Sequence, residues 1–205
     1  MLRAESLACQ RGERSLFAAL DFSLAPGSLL RVRGANGSGK TSLLRILAGL
    51  TRPAAGAVRW RGEPIETLDD GYRREMLFIG HAAGVKDDMT AAENLDFSCR
   101  LSGLTISATQ ITGALDELGI ARLAQLPARF LSQGQRRRTA LARLALAASI
   151  PLWLLDEPFA ALDEDGIARV AALCGAQLAA GGIVVLTSHQ EVAVEAAAAA
   201  LELRL

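Results

Sequence analysis

One glycine-rich segment restricts what this chain can fold into more than any other part of its sequence. Residues 34–41 read Gly-Ala-Asn-Gly-Ser-Gly-Lys-Thr and match the pattern GxxxxGK(S/T). They follow the apolar run 29–33 and precede the run 42–47, which has the composition of a helix. In such a segment, glycines let backbone N–H groups turn inward around phosphate groups, and the helix N-terminus adds positive potential. The segment therefore predicts a strand, a phosphate-binding loop and a helix in direct succession.

The residue types within this loop indicate that the phosphates belong to a nucleotide such as ATP. Lys40 is expected to reach the β and γ phosphates, and Thr41 is expected to offer its hydroxyl to Mg²⁺. A plain glycine-rich turn is the alternative, but it does not explain why a strand and a helix flank the pattern. The predicted nucleotide-binding residues are Gly34, Ala35, Asn36, Gly37, Ser38, Gly39, Lys40, Thr41 and Ser42.

A second apolar run ends in two adjacent acids. Residues 152–158 read Leu-Trp-Leu-Leu-Asp-Glu-Pro. Asp156 is expected to hold Mg²⁺ through its water shell. Glu157 lies one residue further on, where the alternation of a strand end can aim it at the γ-phosphate, so it is the candidate general base for an attacking water. A solvated acidic strand end is the alternative interpretation.

The strand-like runs alternate with helical patterns, as a mostly parallel sheet requires, so the sequence predicts an α/β fold. These runs are 29–33, 76–79, 152–156 and 183–187. Between the second and third lies an insert, residues 81–150 roughly, in which Thr90 with Glu93 and Ser107 with Gln110 have the spacing of helix capping boxes. We predict one domain over residues 1–205, with this insert as a helical subdomain.

Composition limits the partners and the compartment. The chain has 22 basic and 22 acidic residues, so no global charge favours nucleic acid, and no nucleic-acid partner is expected. Cys9, Cys99 and Cys174 lack metal-ligand spacing, which favours buried, reduced thiols in the cytoplasm. The N-terminus lacks the pattern of a secretory signal, and charged residues interrupt the apolar stretches 140–155 and 193–203, so no membrane span is expected.

A pentapeptide upstream of the acidic strand connects these motifs to a known family. Residues 131–135, Leu-Ser-Gln-Gly-Gln, resemble the signature LSGGQ of ATP-binding cassette (ABC) ATPases, with Gln133 as the departure. The resemblance implies a phosphate-loop NTPase fold of ABC type. It also implies that Ser132, Gly134 and Gln135 close on ATP held by the loop of a second copy, in a head-to-tail homodimer.

Further matches and departures refine this resemblance. Residues 187–189 end a strand where ABC ATPases have a switch histidine, so His189 is expected to contact the γ-phosphate and orient Glu157 and water. His81 stands where the family carries a glutamine that senses Mg²⁺, and it is included among the predicted metal-site residues with Thr41 and Asp156. A lone histidine is otherwise more often a surface or core residue.

Two basic regions have alternative interpretations. The aromatic residue that stacks on adenine in the family should fall near Arg11, where the sequence has none; Arg11 could stack through its guanidinium group, or Phe17 could replace the aromatic. The consecutive arginines 136–138 could bind an anion, but on a helix they spread around the axis, so a solvated face is the preferred interpretation.

Several stretches across the chain resemble one branch of the family, the ATPase subunits of cytochrome c maturation haem exporters. They include Cys9 and residues 13–17, 80–81, 84–86, 90–95, 156–159 and 181–184. This resemblance implies integral-membrane partner subunits and a peripheral position on the cytoplasmic face of the inner membrane. The alternatives are an ATPase for another exported substrate and a soluble cassette protein without transport, although the latter class has paired cassettes or long coiled insertions.

Overall fold

The computed structural model describes residues 1–205, apart from the side chain of Asp69. The strands are β1 (Leu2–Arg11), β2 (Arg14–Leu24), β3 (Ser28–Arg33), β4 (Ala55–Trp60), β5 (Glu63–Pro64), β6 (Met76–Ile79), β7 (Leu152–Leu155), β8 (Ile183–Thr187) and β9 (Ala199–Arg204). The α-helices are α1 (Lys40–Leu47), α2 (Asp69–Arg74), α3 (Ala91–Leu101), α4 (Ala108–Glu117), α5 (Gln133–Leu141), α6 (Arg143–Leu146) and α7 (Glu164–Ala179). Short 3-10 turns lie at Ile65–Thr67, Ala121–Leu123 and Ala128–Phe130.

A parallel sheet with the strand order β6-β7-β8-β3-β9 forms the centre of the molecule. It contains all four strands that the sequence predicts, although β7 ends at Leu155 and leaves Asp156 just beyond it. The expectation of an α/β fold with a mostly parallel sheet is therefore confirmed. The carboxyl ends of β3, β7 and β8 meet at one edge of this sheet, the position where parallel α/β sheets bind ligands.

Both faces of the central strands are buried, and this explains their nearly continuous apolar sequences. Trp153 and Val184 pack into a core with helices from the segment between β6 and β7. Their neighbours Leu154 and Val185 point the opposite way, into a core with α1 and the N-terminal strands. A strand that is covered on both sides has no solvent face to carry polar residues.

The N-terminal part of the chain forms a second, antiparallel sheet that the sequence did not predict. Its order is β2-β1-β4-β5. In β2, Leu24 is the one buried residue, and the pairing of β1 with β2 has several register shifts. Bulges and a solvent-exposed strand interrupt the strict alternation that identifies strands in a sequence.

Helices α3 to α6 occupy the segment between β6 and β7. Thr90 caps α3 and Ser107 caps α4, each in a reciprocal capping box with Glu93 or Gln110, so both predicted boxes are confirmed. These caps satisfy N–H groups that the first helical turn leaves without intrahelical partners. They fix where the helices begin.

The three cysteines are free and buried, as predicted. Burial raises the pKa of the Cys99 thiol to about 11 and that of Cys174 to about 12. In the described residues we find no helix that is both long and apolar enough to cross a membrane.

Candidate functional site

The phosphate loop lies between the end of β3 and the start of α1, where the sequence predicts it. Gly39 precedes α1 with a φ of 112°, and a Cβ there would lie 3.2 Å from Phe17 Cδ1. Gly34 is tighter, because its Cβ would lie 2.5 Å from the carbonyl oxygen of Leu205. Both positions require glycine. The loop thus leads into the N-terminus of α1, whose first N–H groups and dipole favour an anion.

The ammonium group of Lys40 is held over this loop. Nζ donates to the carbonyl oxygens of Gly34 at 2.8 Å and of Ala35 at 3.1 Å. The residue is only 8% exposed. Both acceptors are neutral, so the positive charge remains available to a phosphate group.

A hydrogen-bond network joins the loop to the ends of β7 and β8. Thr41 Oγ1 donates to Asp156 Oδ2 at 2.9 Å. Thr187 Oγ1 donates to Asp156 Oδ1 at 2.8 Å and accepts the main-chain N–H of Glu157 at 2.8 Å. The sequence predicts a role for His189 but none for Thr187, although the position of Thr187 at the neighbouring strand end is a usable signal. Its hydroxyl fixes both acids relative to the loop.

Glu157 combines a strained backbone with an unused acceptor. Its φ is 50°, a region that residues other than glycine rarely adopt. Its Oε1 atom is buried and accepts no hydrogen bond from the described residues, although His189 Nε2 lies 3.4 Å away. This approach does not meet the geometry of a hydrogen bond. Oε1 therefore has acceptor capacity for a donor in the cleft, such as water.

These groups surround a cleft of about 750 Å³, which we call the phosphate-loop cleft. The volume suits a nucleotide-sized ligand. The cleft is lined by Arg11, Arg14, Leu16, Asn36, Gly37, Gly39, Lys40, Thr41, Ser42, His81, Glu157, Ala160 and His189. The predicted site residues outside this lining are Gly34, Ala35, Ser38 and Asp156 of the loop and strand end, together with Ser132, Gly134 and Gln135.

The hairpin of β1 and β2 supplies one wall of the phosphate-loop cleft. Arg11 lies in this wall, together with Arg14 and Leu16, which the sequence did not single out. Phe17 packs instead against Gly39 beneath the loop and is not a lining residue. Of the two predicted substitutes for a stacking aromatic, Arg11 is thus the one that faces the cleft. Its contact with adenine stays a prediction.

The signature segment lines a separate cleft of about 740 Å³, which we call the signature cleft. Ser132 begins α5, where its Oγ accepts the N–H of Gln135 at 3.2 Å and Gln135 Oε1 accepts the N–H of Ser132 at 2.9 Å. A Cβ on Gly134 would lie 2.8 Å from the carbonyl oxygen of Ala161. Within one chain, therefore, the fold does not bring the signature residues to the phosphate loop.

The interpretation of residues 136–138 as a solvated face is wrong for two of the three arginines. Arg137 is 4% exposed and Arg138 is 8% exposed, whereas Arg136 retains more contact with solvent and pairs with Asp87 at 2.6 Å. Successive helical residues point about 100° apart, but residues 137–141 are all buried, so this half of α5 is enclosed on every side. Acceptors from distant parts of the chain offset the cost of burying these two charges. The sequence around the arginines does not reveal those acceptors.

Arg138 organises the signature cleft. Its guanidinium group pairs with Asp163 and with Asp165 across the floor of the cleft. The N–H of Gly166, followed by the Arg138 charge, lowers the pKa of the Asp163 carboxyl below its usual value. Arg169, followed by Arg138, lowers the pKa of Asp165. These carboxylates therefore stay ionised at neutral pH and fix Arg138.

The phosphate-loop cleft offers oxygen ligands of the kind that Mg²⁺ prefers. The Thr41 hydroxyl lines the cleft, and the Asp156 carboxylate lies behind it at 2.9 Å. Among the described side chains, no three His, Cys, Asp or Glu residues group as a metal site. The chemistry of these two donors fits Mg²⁺. His81 lines the same cleft, and its predicted part in metal binding stays a prediction.

The chain is similar to proteins of one family along most of its length. A family model described as ABC transporter matches residues 17–160. The cytochrome c biogenesis ATP-binding export protein CcmA of Nitrosomonas europaea is 51% identical over 191 residues, which cover 93% of this chain and 89% of that protein. The protein of the same name from Methylococcus capsulatus is 52% identical over 188 residues, which cover 92% of this chain and 90% of that protein.

Solved structures give the same fold. A dimeric ATP-binding cassette in a post-hydrolysis state, bound to ADP and Pi, is 25% identical with a TM-score of 0.80 and covers 93% of this chain and 88% of its own. A dimeric bacterial ABC transporter cassette is 24% identical with a TM-score of 0.84 and covers 100% of this chain and 94% of its own. The match extends over both sheets and the helices between them.

Proposed function

Because the chain belongs to the ABC transporter family, we propose that it is the ATP-hydrolysing subunit of an exporter that serves cytochrome c biogenesis through haem export or delivery. The observation that carries this proposal is the convergence of Lys40, Glu157 and His189 on the phosphate-loop cleft. Residues 1–205 would act as one ATP-binding domain, with the helices between β6 and β7 as its helical subdomain.

Glu157 acts as the general base in this proposal. Glu157 lines the cleft, and its buried Oε1 atom has unused acceptor capacity, so the carboxylate can accept a proton from water that attacks the γ-phosphate. His189, with Nε2 3.4 Å from that oxygen, orients the carboxylate and contacts the γ-phosphate. Lys40 and the loop N–H groups stabilise the negative charge that the phosphates carry.

Mg²⁺ completes the ATP site in this proposal. Thr41 and Asp156 would hold it, with Asp156 positioned by Thr187. When bound, the ion neutralises charge on the β and γ phosphate oxygens. The protein residues then bind the nucleotide, exclude alternative orientations and hold the acceptor for the proton at Glu157.

We further propose that two copies form a head-to-tail dimer around two ATP molecules. The support is the separation of the two clefts, because Ser132, Gly134 and Gln135 cannot reach the phosphate loop of their own chain. In this arrangement the N-terminus of α5 from one copy would face the γ-phosphate that the other copy binds. ATP binding closes the dimer, and hydrolysis reopens it.

The work of this cycle would be transmitted to integral-membrane subunits on the cytoplasmic face of the inner membrane. The name of these relatives, an ATP-binding export protein of cytochrome c biogenesis, supports this placement. Affinity purification of the chain from membranes, followed by identification of its subunits, tests it. Haem-handling membrane subunits are the expected partners, and a stable complex with subunits for a different cargo would contradict the haem assignment.

The substitution Glu157→Gln tests the catalytic part of the proposal. It removes the proton acceptor but retains size and hydrogen-bonding capacity, so kcat for ATP hydrolysis should fall by about 10²- to 10⁴-fold. ATP binding should persist, and a nucleotide-bound dimer should accumulate in size-exclusion chromatography. Glu164→Gln, an exposed acid at the start of α7, is the matched control and should retain its activity. Undiminished hydrolysis by Glu157→Gln would exclude Glu157 as the base.

A further inference from the structure

Arg137 makes a set of contacts that neither the sequence motifs nor the proposed chemistry uses. Its Nη1 atom donates to the carbonyl oxygens of Gly80 at 2.9 Å and His81 at 3.3 Å. Its Nη2 atom donates to the carbonyl oxygens of Asp156 and Glu157, both at 2.8 Å. One guanidinium group thus binds four main-chain oxygens on two segments of the catalytic cleft.

These oxygens lie just beyond the point at which two neighbouring strands stop pairing. The ladder of β6 and β7 reaches Ile79 opposite Leu155, and the N–H of Asp156 donates to the Ile79 carbonyl oxygen at 2.8 Å. Past that bond the two chains separate to form the edge of the cleft. The planar, forked donor geometry of arginine replaces the missing ladder bonds across this gap, which a lysine ammonium could not do with the same geometry.

Burial of the charged Arg137 guanidinium group costs free energy. Arg137 is 4% exposed, and burial lowers the pKa of its guanidinium, although the charges of Asp156 and Glu157 oppose that shift. Its Nε atom has no hydrogen-bond partner among the described residues. A neutral side chain of similar volume would avoid both penalties. The retained charge therefore indicates a task beyond packing.

The task is indicated by Glu157, whose N–H and Cα atoms lie between the two carbonyl groups that accept from Arg137 Nη2. The Asp156 carbonyl begins the peptide plane on one side of the Glu157 Cα atom, and the Glu157 carbonyl begins the plane on the other side. Both planes are fixed by Arg137, and the intervening N–H is fixed by Thr187. These three bonds hold the left-handed conformation of Glu157, and with it the direction of its side chain.

We propose that Arg137 is a positioning residue for ATP hydrolysis, which holds the main chain of Glu157 and His81 so that the Glu157 carboxylate faces the attacking water. The inference rests on the proposed role of Glu157. Because Arg137 belongs to α5, whose N-cap residue Ser132 lies in the signature cleft, it also connects the general base of one ATP site to the helix that serves the other site.

The test compares Arg137→Gln and Arg137→Lys with the wild-type chain in steady-state ATP hydrolysis and in equilibrium binding of a fluorescent ATP analogue. Arg137→Gln should lower kcat by about 100-fold, because a displacement of about 1 Å in a catalytic group has that effect. Nucleotide affinity should stay within about 3-fold, since Lys40 and the loop N–H groups are not among the acceptors or neighbours that Arg137 fixes. Arg137→Lys should recover part of the loss.

Arg136→Gln is the matched control, since it removes the same charge from the adjacent helical position, where the side chain pairs with Asp87. It should hydrolyse ATP at the wild-type rate. Thermal melting of each variant shows whether a loss of activity comes from unfolding or from displacement of the Glu157 carboxylate. Arg137→Lys serves as the test variant if Arg137→Gln does not fold. A folded Arg137→Gln chain with wild-type kcat, or with kcat and nucleotide affinity reduced together, would overturn the proposal.

The double variant Arg137→Gln/Glu157→Gln separates this inference from the role of Glu157. If Arg137 acts through Glu157, the double variant should be no slower than Glu157→Gln alone, because the base that Arg137 positions is already absent. Additive losses would overturn the proposal while leaving Glu157 as the base. Active Glu157→Gln would instead remove the proposed base itself, so the two failures are distinguishable.

Discussion

The phosphate-loop cleft and the signature cleft have almost the same volume, about 750 and 740 Å³, but their chemistry differs. The first contains a lysine ammonium, a general-base candidate and two histidines. The second presents the N-terminus of α5 and an arginine whose charge is already paired with Asp163 and Asp165. The first cleft therefore has the groups that the proposed hydrolysis needs, whereas the second presents the N–H donors of a helix terminus.

Two consecutive residues of α5 divide their contacts between these clefts. Arg137 donates to the strand ends behind the phosphate-loop cleft, and Arg138 pairs with the acids of the signature cleft. The helix is thus common to both sites. A site that needs one cleft from each of two chains would be connected, through α5, to the second site of the same dimer.

The largest expected effect comes from disabling the two clefts on different chains. Lys40→Ala should inactivate the phosphate-loop cleft, and Gly134→Asp should inactivate the signature cleft, because its side chain would meet the Ala161 carbonyl 2.8 Å from Cβ and add negative charge. Each homodimer should be inactive. An equimolar mixture should recover about a quarter of the wild-type ATPase rate, since half of the dimers are mixed and each has one intact composite site.

Nucleotide binding by the separate variants provides the control for this mixing experiment. Gly134→Asp should bind a fluorescent ATP analogue with nearly wild-type affinity, because its own phosphate loop is unchanged. Lys40→Ala should bind about 10- to 100-fold more weakly, as expected for loss of a charge-assisted hydrogen bond. Full activity of the Gly134→Asp homodimer would show that the signature cleft is not part of the ATP site.

A smaller effect should separate the two histidines of the phosphate-loop cleft. His189 Nε2 lies 3.4 Å from Glu157 Oε1, whereas the described polar contact of His81 is made by its main-chain oxygen. His189→Ala should therefore lower kcat by about 100-fold through loss of orientation. His81→Gln should stay within about 3-fold of the wild type, because glutamine also offers a hydrogen-bond acceptor.

The measurement is steady-state hydrolysis over a range of ATP and Mg²⁺ concentrations. Both variants should retain the wild-type melting temperature, since both side chains are exposed. If His81→Gln loses all turnover while His189→Ala remains active, the assignments of the two histidines must be exchanged. The imidazole of His81, and not that of His189, would then be required for hydrolysis.

The sequence predicted the parts of the fold whose local pattern reflects their final environment. Strands β3, β6, β7 and β8 are short, mostly apolar and mostly buried, so their composition identifies them. The antiparallel sheet escaped prediction because β2 is mostly exposed and β1 pairs with register shifts. Whether such strands form depends on cross-strand neighbours more than on their own pattern.

For the site, the motifs predicted the residue types but not the groups that hold them in place. The loop and the acidic pair lie together, as their spacing indicates. The environment of Arg137 could not be predicted, since its acceptors lie 57 and 56 residues before it and 19 and 20 residues after it. The local sequence pattern predicts that arginine faces solvent, because the carbonyl groups that accept from Arg137 approach it only in the folded chain.

The smallest expected effect is a pH dependence of folding stability that comes from the acids of the signature cleft. The pKa of the Asp163 carboxyl is lowered in the folded chain, first by the N–H of Gly166 and then by Arg138. A carboxyl with a lowered folded pKa stabilises the fold at pH values above its unfolded pKa, and this contribution is lost as the pH falls through the folded pKa. The window therefore lies below about pH 5.

Asp163→Asn isolates this contribution, because asparagine can still cap α7 at the Gly166 N–H but has no charge for Arg138. In thermal melts between pH 7 and pH 3, the variant should melt slightly below the wild type at pH 7, and the difference should narrow as the pH falls below the unfolded pKa of the carboxyl. Glu164→Gln removes the same charge from the same helical turn and should give no comparable convergence. A constant difference across this range would show that Asp163 acts through the cap alone, which would leave Asp165 as the acid that pairs with Arg138.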